Sequence, residues 1–390
     1  MSKLPDPTLE IIKFIYSLFP TTLPIPLHSP TFSGNEKRYL IDCIDSTFVS
    51  SIGEYVTKFE SKIKDYTGAS HAIATVNGTS ALHMALLVAG VDAETEVITQ
   101  PLTFVATCNA IHYLNARPVF LDCEPTTLGL CPDALASFLS QHTEIKNNYC
   151  YNKNTKKRIS ACVPVHTFGY PCQIDRIVEI CTDYHIPVIE DAAESLGSFC
   201  KDQHTGTFGN LGIFSFNGNK IMTTGGGGMI ITNDDELAIK AKHLTTTAKV
   251  THPWQFHHDE VGYNYRLPNL NAALGCAQLE QLPTLIQQKY NLHQQYRDYL
   301  TQTNTPLFTP PPNTSPNFWL NCIQLSSQEE KEAYLKALND AKILARPCWQ
   351  LISSLPPYQD CYTDELTTAK YLYNTIVCVP SSPPSRLGSF

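Results

Sequence analysis

One lysine, Lys220, lies in a polar loop between two short apolar runs, 213–216 and 229–231. Each run is bounded by turn residues and predicts a buried strand. Four consecutive glycines, 225–228, allow the backbone between the runs to turn sharply or to approach another group closely. A lysine held between strands can be partly desolvated, which frees its neutral amine as a nucleophile toward a carbonyl carbon. A solvated lysine in a glycine-rich hairpin is equally consistent with these residues alone.

A second candidate is a turn of small residues between a predicted strand and a predicted helix. The apolar run 72–76 is followed by Asn-Gly-Thr-Ser at 77–80 and then by an apolar helical stretch at 81–89. Such a junction presents free backbone N–H groups and the positive end of the helix dipole, which together favour a phosphate. The alternative is that Thr79 or Ser80 only caps the helix.

The elements that must position these residues alternate between short apolar strands and helices. Alternation of this kind predicts an α/β domain around a mainly parallel sheet, with ligands at the C-terminal strand ends. Asp191 ends one predicted strand, so it and the turn at 77–80 could face a single site. Besides 72–76, 213–216 and 229–231, the predicted strands are 96–99, 118–122, 161–165 and 186–191.

Length, charge and cysteine usage narrow the class of protein. A chain of 390 residues can bury a large core and predicts two domains, one large and one smaller. The formal charge of −8 argues against nucleic acid and against a polybasic membrane patch, so small molecules are the expected ligands. Fourteen cysteines, with no Cys-x-x-Cys pair and no zinc-type spacing, predict buried thiols in a reducing cytoplasm and no metal site.

Three segments are predicted along the chain. Residues 1–30 hold an amphipathic helix, docked on the protein or on a partner subunit, followed by a proline-rich extended arm. Residues 31–269 form the large α/β domain. Residues 270–390 form a smaller α+β domain, whose first helix is predicted at 271–288 with a break at Pro283. No stretch is apolar over enough residues to predict a membrane span.

The phosphate-type turn, the acid and the lysine together point to one cofactor. Pyridoxal phosphate needs N–H donors for its phosphate, a carboxylate to keep its pyridine nitrogen protonated, and a lysine to form a Schiff base with its aldehyde. The chain supplies these groups at Gly78-Thr79-Ser80, Asp191 and Lys220, in this order.

With these residues in place, the chain resembles the DegT/DnrJ/EryC1/StrS family of fold-type I, pyridoxal phosphate-dependent sugar aminotransferases. That fold implies a mainly parallel seven-stranded sheet flanked by helices, with a smaller C-terminal α+β domain. The long N-terminal helix and the segments 258–262 and 346–349 are most similar to the LegC-like branch. The family resemblance rests on Asn77-Gly-Thr-Ser-Ala-Leu82, Pro101-Leu-Thr-Phe-Val-Ala-Thr107, Glu190-Asp-Ala-Ala193, Ser215-Phe216 before Lys220, and Gly262-Tyr-Asn-Tyr-Arg266.

The resemblance implies a role for each matched residue. Lys220 would form the Schiff base and then move the proton between donor and acceptor carbons, Asp191 would pair with the pyridine nitrogen, and Phe104 would stack on the ring. Asn264 would reach the phosphate held by the neighbouring subunit, which implies a homodimer with shared active sites. The phosphate itself would be held by Gly78, Thr79, Ser80 and Ser215.

Two departures from the family pattern lie close to the lysine. Where many relatives carry Gln or His after the Glu-Asp-Ala-Ala run, this chain has Glu194. A carboxylate near the phenolic oxygen of the cofactor would repel that anion unless the carboxylate is protonated or paired. The run 225–228 is all glycine, whereas relatives often have Gly-Glu-Gly-Gly, so any role of that acid is absent.

The implied activity is amino transfer from an amino acid, L-glutamate by resemblance, to a nucleotide-linked 4-keto-6-deoxy sugar. A UDP-linked N-acetylhexosamine is favoured, for surface polysaccharide or nonulosonic acid biosynthesis. Candidate diphosphate contacts are Lys249, His257 and Arg346. A sugar dehydratase is disfavoured because such relatives carry His at the position of Lys220. A pyridoxal phosphate-binding regulator without turnover stays open.

Overall fold

The structure is a computed structural model that describes residues 6–20, 23–303 and 305–383. Its α-helices are α1 Asp6–Leu18, α2 Glu36–Asp45, α3 Glu54–Thr67, α4 Gly78–Val88, α5 Ala106–Tyr113, α6 Pro132–His142, α7 Ile174–Asp183, α8 Asp235–Thr245, α9 Asn269–Gln302, α10 Gln328–Asp340 and α11 Thr367–Thr375. Its strands are β1 His71–Thr75, β2 Thr95–Thr99, β3 Arg117–Phe120, β4 Thr143–Lys146, β5 Tyr149–Asn152, β6 Arg158–Val163, β7 Ile189–Asp191, β8 Phe199–Cys200, β9 Gln203–His204, β10 Leu211–Ser215, β11 Gly228–Thr232, β12 Lys249–Val250, β13 His257–His258, β14 Thr314–Ser315, β15 Asn321–Gln324, β16 Arg346–Pro347, β17 Tyr362–Thr363 and β18 Ile376–Val379.

Seven strands form the centre of the main sheet in the order β1-β11-β10-β7-β6-β2-β3, and the short strands β17, beside β3, and β5 with β4, beside β6, extend it. Strand β11 is antiparallel to both of its neighbours, and the other pairs run parallel. The bridges Cys162–Val188 and Val165–Asp191 join β6 to the segment of β7. The predicted mainly parallel seven-stranded sheet is therefore confirmed.

Helices cover both faces of this sheet because successive strand residues point to opposite sides. On β11, Met229 and Ile231 belong to a cluster that includes Ala273 of α9, whereas Ile230 belongs to one that includes Leu86 of α4. Buried on both faces, such strands appear in the sequence as short continuous apolar runs. The polar residues that follow them lie at the C-terminal edge of the sheet.

Helix α9 runs unbroken through Pro283, so the predicted break at that residue is wrong. A proline removes one helical hydrogen bond and crowds the carbonyl four residues earlier. Here Leu279, Leu282 and Leu285 are buried around the proline, and the helix packs against α2 and α3. Tertiary packing thus outweighs the local cost.

The N-terminal helix α1 docks on its own chain. Ile11, Ile12 and Ile15 are buried in a cluster with Leu292 of α9 and Leu338 of α10, which decides between the two docking partners that the sequence left open. The arm after it pairs with the C-terminal segment through the Ile25–Ile343 bridge.

The three-segment division at residues 30 and 269 stays a prediction. Parts of the predicted end segments, 1–5, 21–22, 304 and 384–390, lie outside the described residues. No helix in the described part of the chain is long and apolar enough to cross a bilayer.

Candidate functional site

The C-terminal ends of β1, β7 and β10 open into one cavity of about 330 Å³. Parallel strands bring these ends to the same edge of the sheet, although they are far apart in sequence. The lining includes seven of the residues singled out from the sequence: Gly78, Thr79, Phe104, Asp191, Glu194, Ser215 and Lys220.

The turn after β1 is shaped for close approach. The Oδ1 atom of Asn77 accepts a hydrogen bond from the backbone N–H of Ser80 at 2.8 Å and caps α4. Ser80 is buried behind this cap, while Gly78 and Thr79 line the cavity. A Cβ on Gly78 would lie 2.8 Å from the Cβ of Ser215, so only glycine fits there. Gly78 and Ser215 thus form a tight cradle at the positive end of a helix, which suits a phosphate.

Asp191 is a buried carboxylate with one hydrogen-bond donor on each oxygen. Thr107 Oγ1 donates to Oδ2 at 2.8 Å, and the N–H of Ala193 donates to Oδ1 at 3.2 Å. Burial raises the pKa of Asp191, and these two hydrogen bonds oppose the rise. Both donors are uncharged, and Lys220 and His166 act on the carboxylate only through their charges, which also lower its pKa. The carboxylate is therefore suited to a direct contact with a cationic or N–H-bearing ligand.

Glu194 is paired with Lys220. Its Oε1 atom accepts a hydrogen bond from Lys220 Nζ at 3.1 Å, and its Oε2 atom accepts the N–H of Phe168 at 2.8 Å. Burial raises the pKa of Glu194, the Lys220 ammonium and the Phe168 N–H lower it, and the charge of Asp191 adds to the rise. The sequence predicted that the Glu194 carboxylate would repel the phenolic oxygen of the cofactor unless it is protonated or paired. In the structure it is paired with the Lys220 ammonium.

Lys220 lies in the loop of the β10–β11 hairpin. Hydrogen bonds from Phe216 N to Gly227 O and from Thr224 N to Phe216 O close this loop at 2.9 and 3.0 Å, and Gly225 makes the turn with φ of +81°. The Lys220 side chain is only 12% exposed, which excludes the solvated lysine that the sequence allowed.

Two tryptophans form walls that the sequence did not identify as part of the site. The Trp319 ring centroid lies 3.9 Å from Lys220 Nζ, and Trp349 lies 6.3 Å from the ring of Phe104. Phe104 itself is at the rim and 52% exposed. Thr107 is also new as a functional residue. Thr107 ends the family motif 101–107 and Trp349 ends the segment 346–349, so the sequence did carry a signal for both residues.

The remaining predicted residues lie elsewhere. Lys249 and His257 are exposed on the β12–β13 hairpin, and Asn264 is exposed with its Oδ1 bonded to Arg266 Nη2 at 3.1 Å. None of these three lines the cavity of its own chain. Arg346 lines an adjoining cavity.

These residues fit pyridoxal phosphate. The Gly78–Ser215 cradle suits a phosphate, the underpartnered Asp191 suits a pyridine nitrogen, and Lys220 lies in the same cavity. The exposed ring of Phe104 offers an apolar face beside them.

Comparison with known proteins places this site in a family. Residues 30–386 match the profile of the DegT/DnrJ/EryC1/StrS aminotransferase family. GDP-perosamine synthase of Escherichia coli O157:H7 is 35% identical over 338 residues, covering 87% of this chain and 88% of the relative. GDP-perosamine synthase of Caulobacter vibrioides is 34% identical over 350 residues, covering 89% and 90%.

A solved structure shares the fold. Helicobacter pylori PseC, an aminotransferase involved in the biosynthesis of pseudoaminic acid, superposes with a TM-score of 0.82 at 24% identity, covering 91% of this chain and 93% of PseC. The predicted fold-type I architecture is confirmed. The chain belongs to the DegT/DnrJ/EryC1/StrS family and is a pyridoxal phosphate-dependent aminotransferase.

Proposed function

We propose that the protein transfers an amino group from L-glutamate to a nucleotide-linked 4-keto-6-deoxy sugar, in surface polysaccharide or nonulosonic acid biosynthesis. The observation that carries the proposal is the convergence of Lys220, Asp191 and the Gly78–Ser215 cradle in one cavity. The names of the two perosamine synthases support a sugar acceptor. The motifs similar to the LegC-like branch support a UDP-linked N-acetylhexosamine.

Each residue of the cavity has a defined task in this reaction. When bound, pyridoxal phosphate supplies an electron sink that lets a proton leave the carbon bearing the nitrogen. Asp191 would keep the pyridine nitrogen protonated, and the N–H groups of Gly78 and Thr79 would hold the phosphate. Lys220 Nζ takes the proton from one carbon and returns it to another.

The acceptor has room in a second cavity of about 590 Å³, which adjoins the first and shares Asn219, Trp319 and Trp349 with it. Indole faces suit the apolar face of a sugar ring, and the guanidinium of Arg346 in the same wall suits a phosphate. This location supports Arg346 as a diphosphate contact.

His28, from the N-terminal arm, lies in the wall of this second cavity. Neither ring nitrogen makes a hydrogen bond of good geometry in the described part of the chain, although the backbone of Asn219 lies close enough to oppose the lowering of the pKa of His28. Burial, aided by the charges of Lys289 and Lys220, lowers the pKa of His28 well below its ordinary value. A neutral imidazole offers one donor and one acceptor, which suits a hydroxyl or acetamido group of the sugar.

The proposed assembly is a homodimer in which Asn264 serves the phosphate of the partner subunit, with Lys249 and His257 beside the acceptor. Its support is the exposure of all three residues outside the cavity of their own chain. The proposed location is the cytoplasm, supported by fourteen free thiols.

The test supplies the protein, loaded with pyridoxal phosphate and glutamate, with a panel of UDP-, GDP- and dTDP-linked ketosugars. We expect a UDP-linked 4-ketosugar to gain the mass of an amino group in place of its keto oxygen, and Lys220→Ala to abolish the gain. Release of 2-oxoglutarate from glutamate distinguishes this enzyme from a regulator that only binds the cofactor. No release by the wild-type protein would contradict the proposal.

A further inference from the structure

The amine of Lys220 is held between an anion and an aromatic face. Nζ lies 3.1 Å from Oε1 of Glu194 and 3.9 Å from the ring centroid of Trp319. Both contacts favour an ammonium over a neutral amine. We propose that Glu194 and Trp319 form a seat for the protonated Lys220 amine, which holds the proton that the lysine moves during amino transfer. This inference rests on the proposed function.

The Trp319 side of the seat is fixed from both the ring and the backbone. Its indole Nε1–H donates to the carbonyl of Asn219 at 2.6 Å, beside Lys220 itself. Its carbonyl accepts a hydrogen bond at 3.1 Å from the buried amine of Lys289. The ring therefore cannot turn away from Nζ without breaking a hydrogen bond to the loop that carries the lysine.

The Glu194 side is tied to the same framework through Asn317. The Trp319 N–H donates to Asn317 Oδ1, and Asn317 Nδ2 donates to the Glu194 carbonyl, each at 2.8 Å. The side chain of Glu194 is held by the N–H of Phe168 at Oε2, which leaves Oε1 for the lysine. Because hydrogen bonds hold both Glu194 and Trp319 in position, protonation of the Lys220 amine requires little reorganisation of either residue.

The proton balance of the step requires such a seat. When a C–H bond of the bound substrate breaks, Lys220 Nζ would take the proton into a new N–H bond, and pyridoxal phosphate would supply the sink for the electron pair. That proton then passes from Nζ to a second carbon, which uses the same electron pair. Between the two transfers the lysine would be an ammonium on a side chain that is only 12% exposed, where an unpaired charge is costly. Glu194 and Trp319 lower this cost.

The test measures the neutral fraction of the amine and needs no turnover. The full-length protein is loaded with pyridoxamine phosphate, which leaves Lys220 free, and is treated with trace isotope-labelled acetic anhydride at several pH values. Mass spectrometry of the Lys220 peptide gives the labelling rate, with an exposed lysine as internal reference. Only the neutral amine reacts, so a tenfold change in rate at pH 7 is a tenfold change in the neutral fraction.

We expect Glu194→Gln, which keeps the shape and the Phe168 contact, to raise the rate about tenfold or more. Trp319→Leu should raise it roughly threefold to tenfold, and Trp319→Phe, which keeps a ring face, by less. The matched control is Trp349→Leu: Trp349 lines the same cavity but packs on Phe168, at 4.7 Å between rings. It should leave the rate unchanged.

Unchanged labelling of Lys220 in Glu194→Gln would contradict the proposed role of Glu194 and Trp319. Equal acceleration in the Trp349 and Trp319 variants would also contradict it, because that result would mean only that the cavity is more open. The outcome is separable from the proposed function, because failure on every sugar of the panel leaves the labelling rates unaffected.

Discussion

At the scale of single residues, the burial and hydrogen-bond donors of Asp191 determine which ligand it suits. It is a buried carboxylate whose hydrogen-bond donors are a hydroxyl and one backbone N–H. Burial raises its pKa because the charged form loses hydration, and the Thr107 hydroxyl opposes this rise. A protonated pyridine nitrogen would supply a cation in direct contact with the carboxylate. The Thr107 hydroxyl therefore favours the charged form of Asp191, the form that would pair with a protonated pyridine nitrogen.

Thr107→Val should weaken cofactor binding by roughly ten- to a hundredfold, the cost of about one hydrogen bond to a charged group. Valine keeps the shape of threonine but leaves Oδ2 of Asp191 without its donor, so the pKa of Asp191 rises further. Titration of the apoprotein with pyridoxal phosphate measures the affinity. Thr107→Ser retains the hydroxyl and should bind as the wild type does. Equal affinity of the valine variant would remove Thr107 from the site.

The sequence supported the placement of Lys220, Asp191 and Gly78 because each follows an apolar run, and parallel strands end at a common edge. It could not place Trp319, which reaches Lys220 from a segment 99 positions later in the chain. A tryptophan beside an apolar strand is most often core, and only the tertiary fold turns its face toward the amine.

At the scale of elements, the site depends on how closely the turn into α4 approaches the end of β10. The two meet at Gly78 and Ser215, and the neighbouring hairpin adds a second close approach, since a Cβ on Gly228 would lie 2.4 Å from the carbonyl oxygen of Asn77. The glycines thus set the spacing between elements. Gly226 is different, because the contact that a Cβ there would make is with the Val76 oxygen, at 4.0 Å.

Gly78→Ala should lower the free energy of unfolding by about 1–3 kcal/mol and weaken cofactor binding, because the added methyl group pushes the turn away from Ser215. Gly226→Ala adds the same methyl group in open space and should change neither quantity measurably. Urea unfolding and cofactor titration of both variants test this. A Gly78 variant as stable as the Gly226 variant would show that the turn can shift without cost.

Elements also show where local rules fail. A proline inside a helical pattern predicts a break, yet α9 continues through Pro283. The predicted break at Pro283 considered only the helical hydrogen bond that the proline removes and the local helix propensity. It could not weigh the burial of Leu279, Leu282 and Leu285, which depends on α2 and α3 from the opposite end of the chain.

At the scale of the whole molecule, exposed apolar side chains lie in the segment that also carries Lys249, His257 and Asn264, the predicted site residues that do not line the cavity of their own chain. Trp254, Phe256 and Val261 are 77%, 82% and 84% exposed, in the loop that leads to Asn264. Large apolar side chains that cluster on a surface mark contacts with another protein. In the proposed homodimer, this loop would cover the partner and would carry Asn264 to the partner's phosphate cradle.

Mixing two defective variants tests the shared site. Lys220→Ala and Asn264→Asp, unfolded and refolded together in equal amounts, should recover about a quarter of the wild-type sites: half of the dimers are mixed, and one of their two sites has both groups intact. The measurement is the amount of 2-oxoglutarate formed from glutamate in a single turnover, which needs no sugar acceptor.

The matched control mixes Lys220→Ala with Asp191→Asn. Because Lys220 and Asp191 line the cavity of one chain, every site in that mixture keeps a defect and no activity should return. Recovery in neither mixture would place Asn264 outside the partner's site.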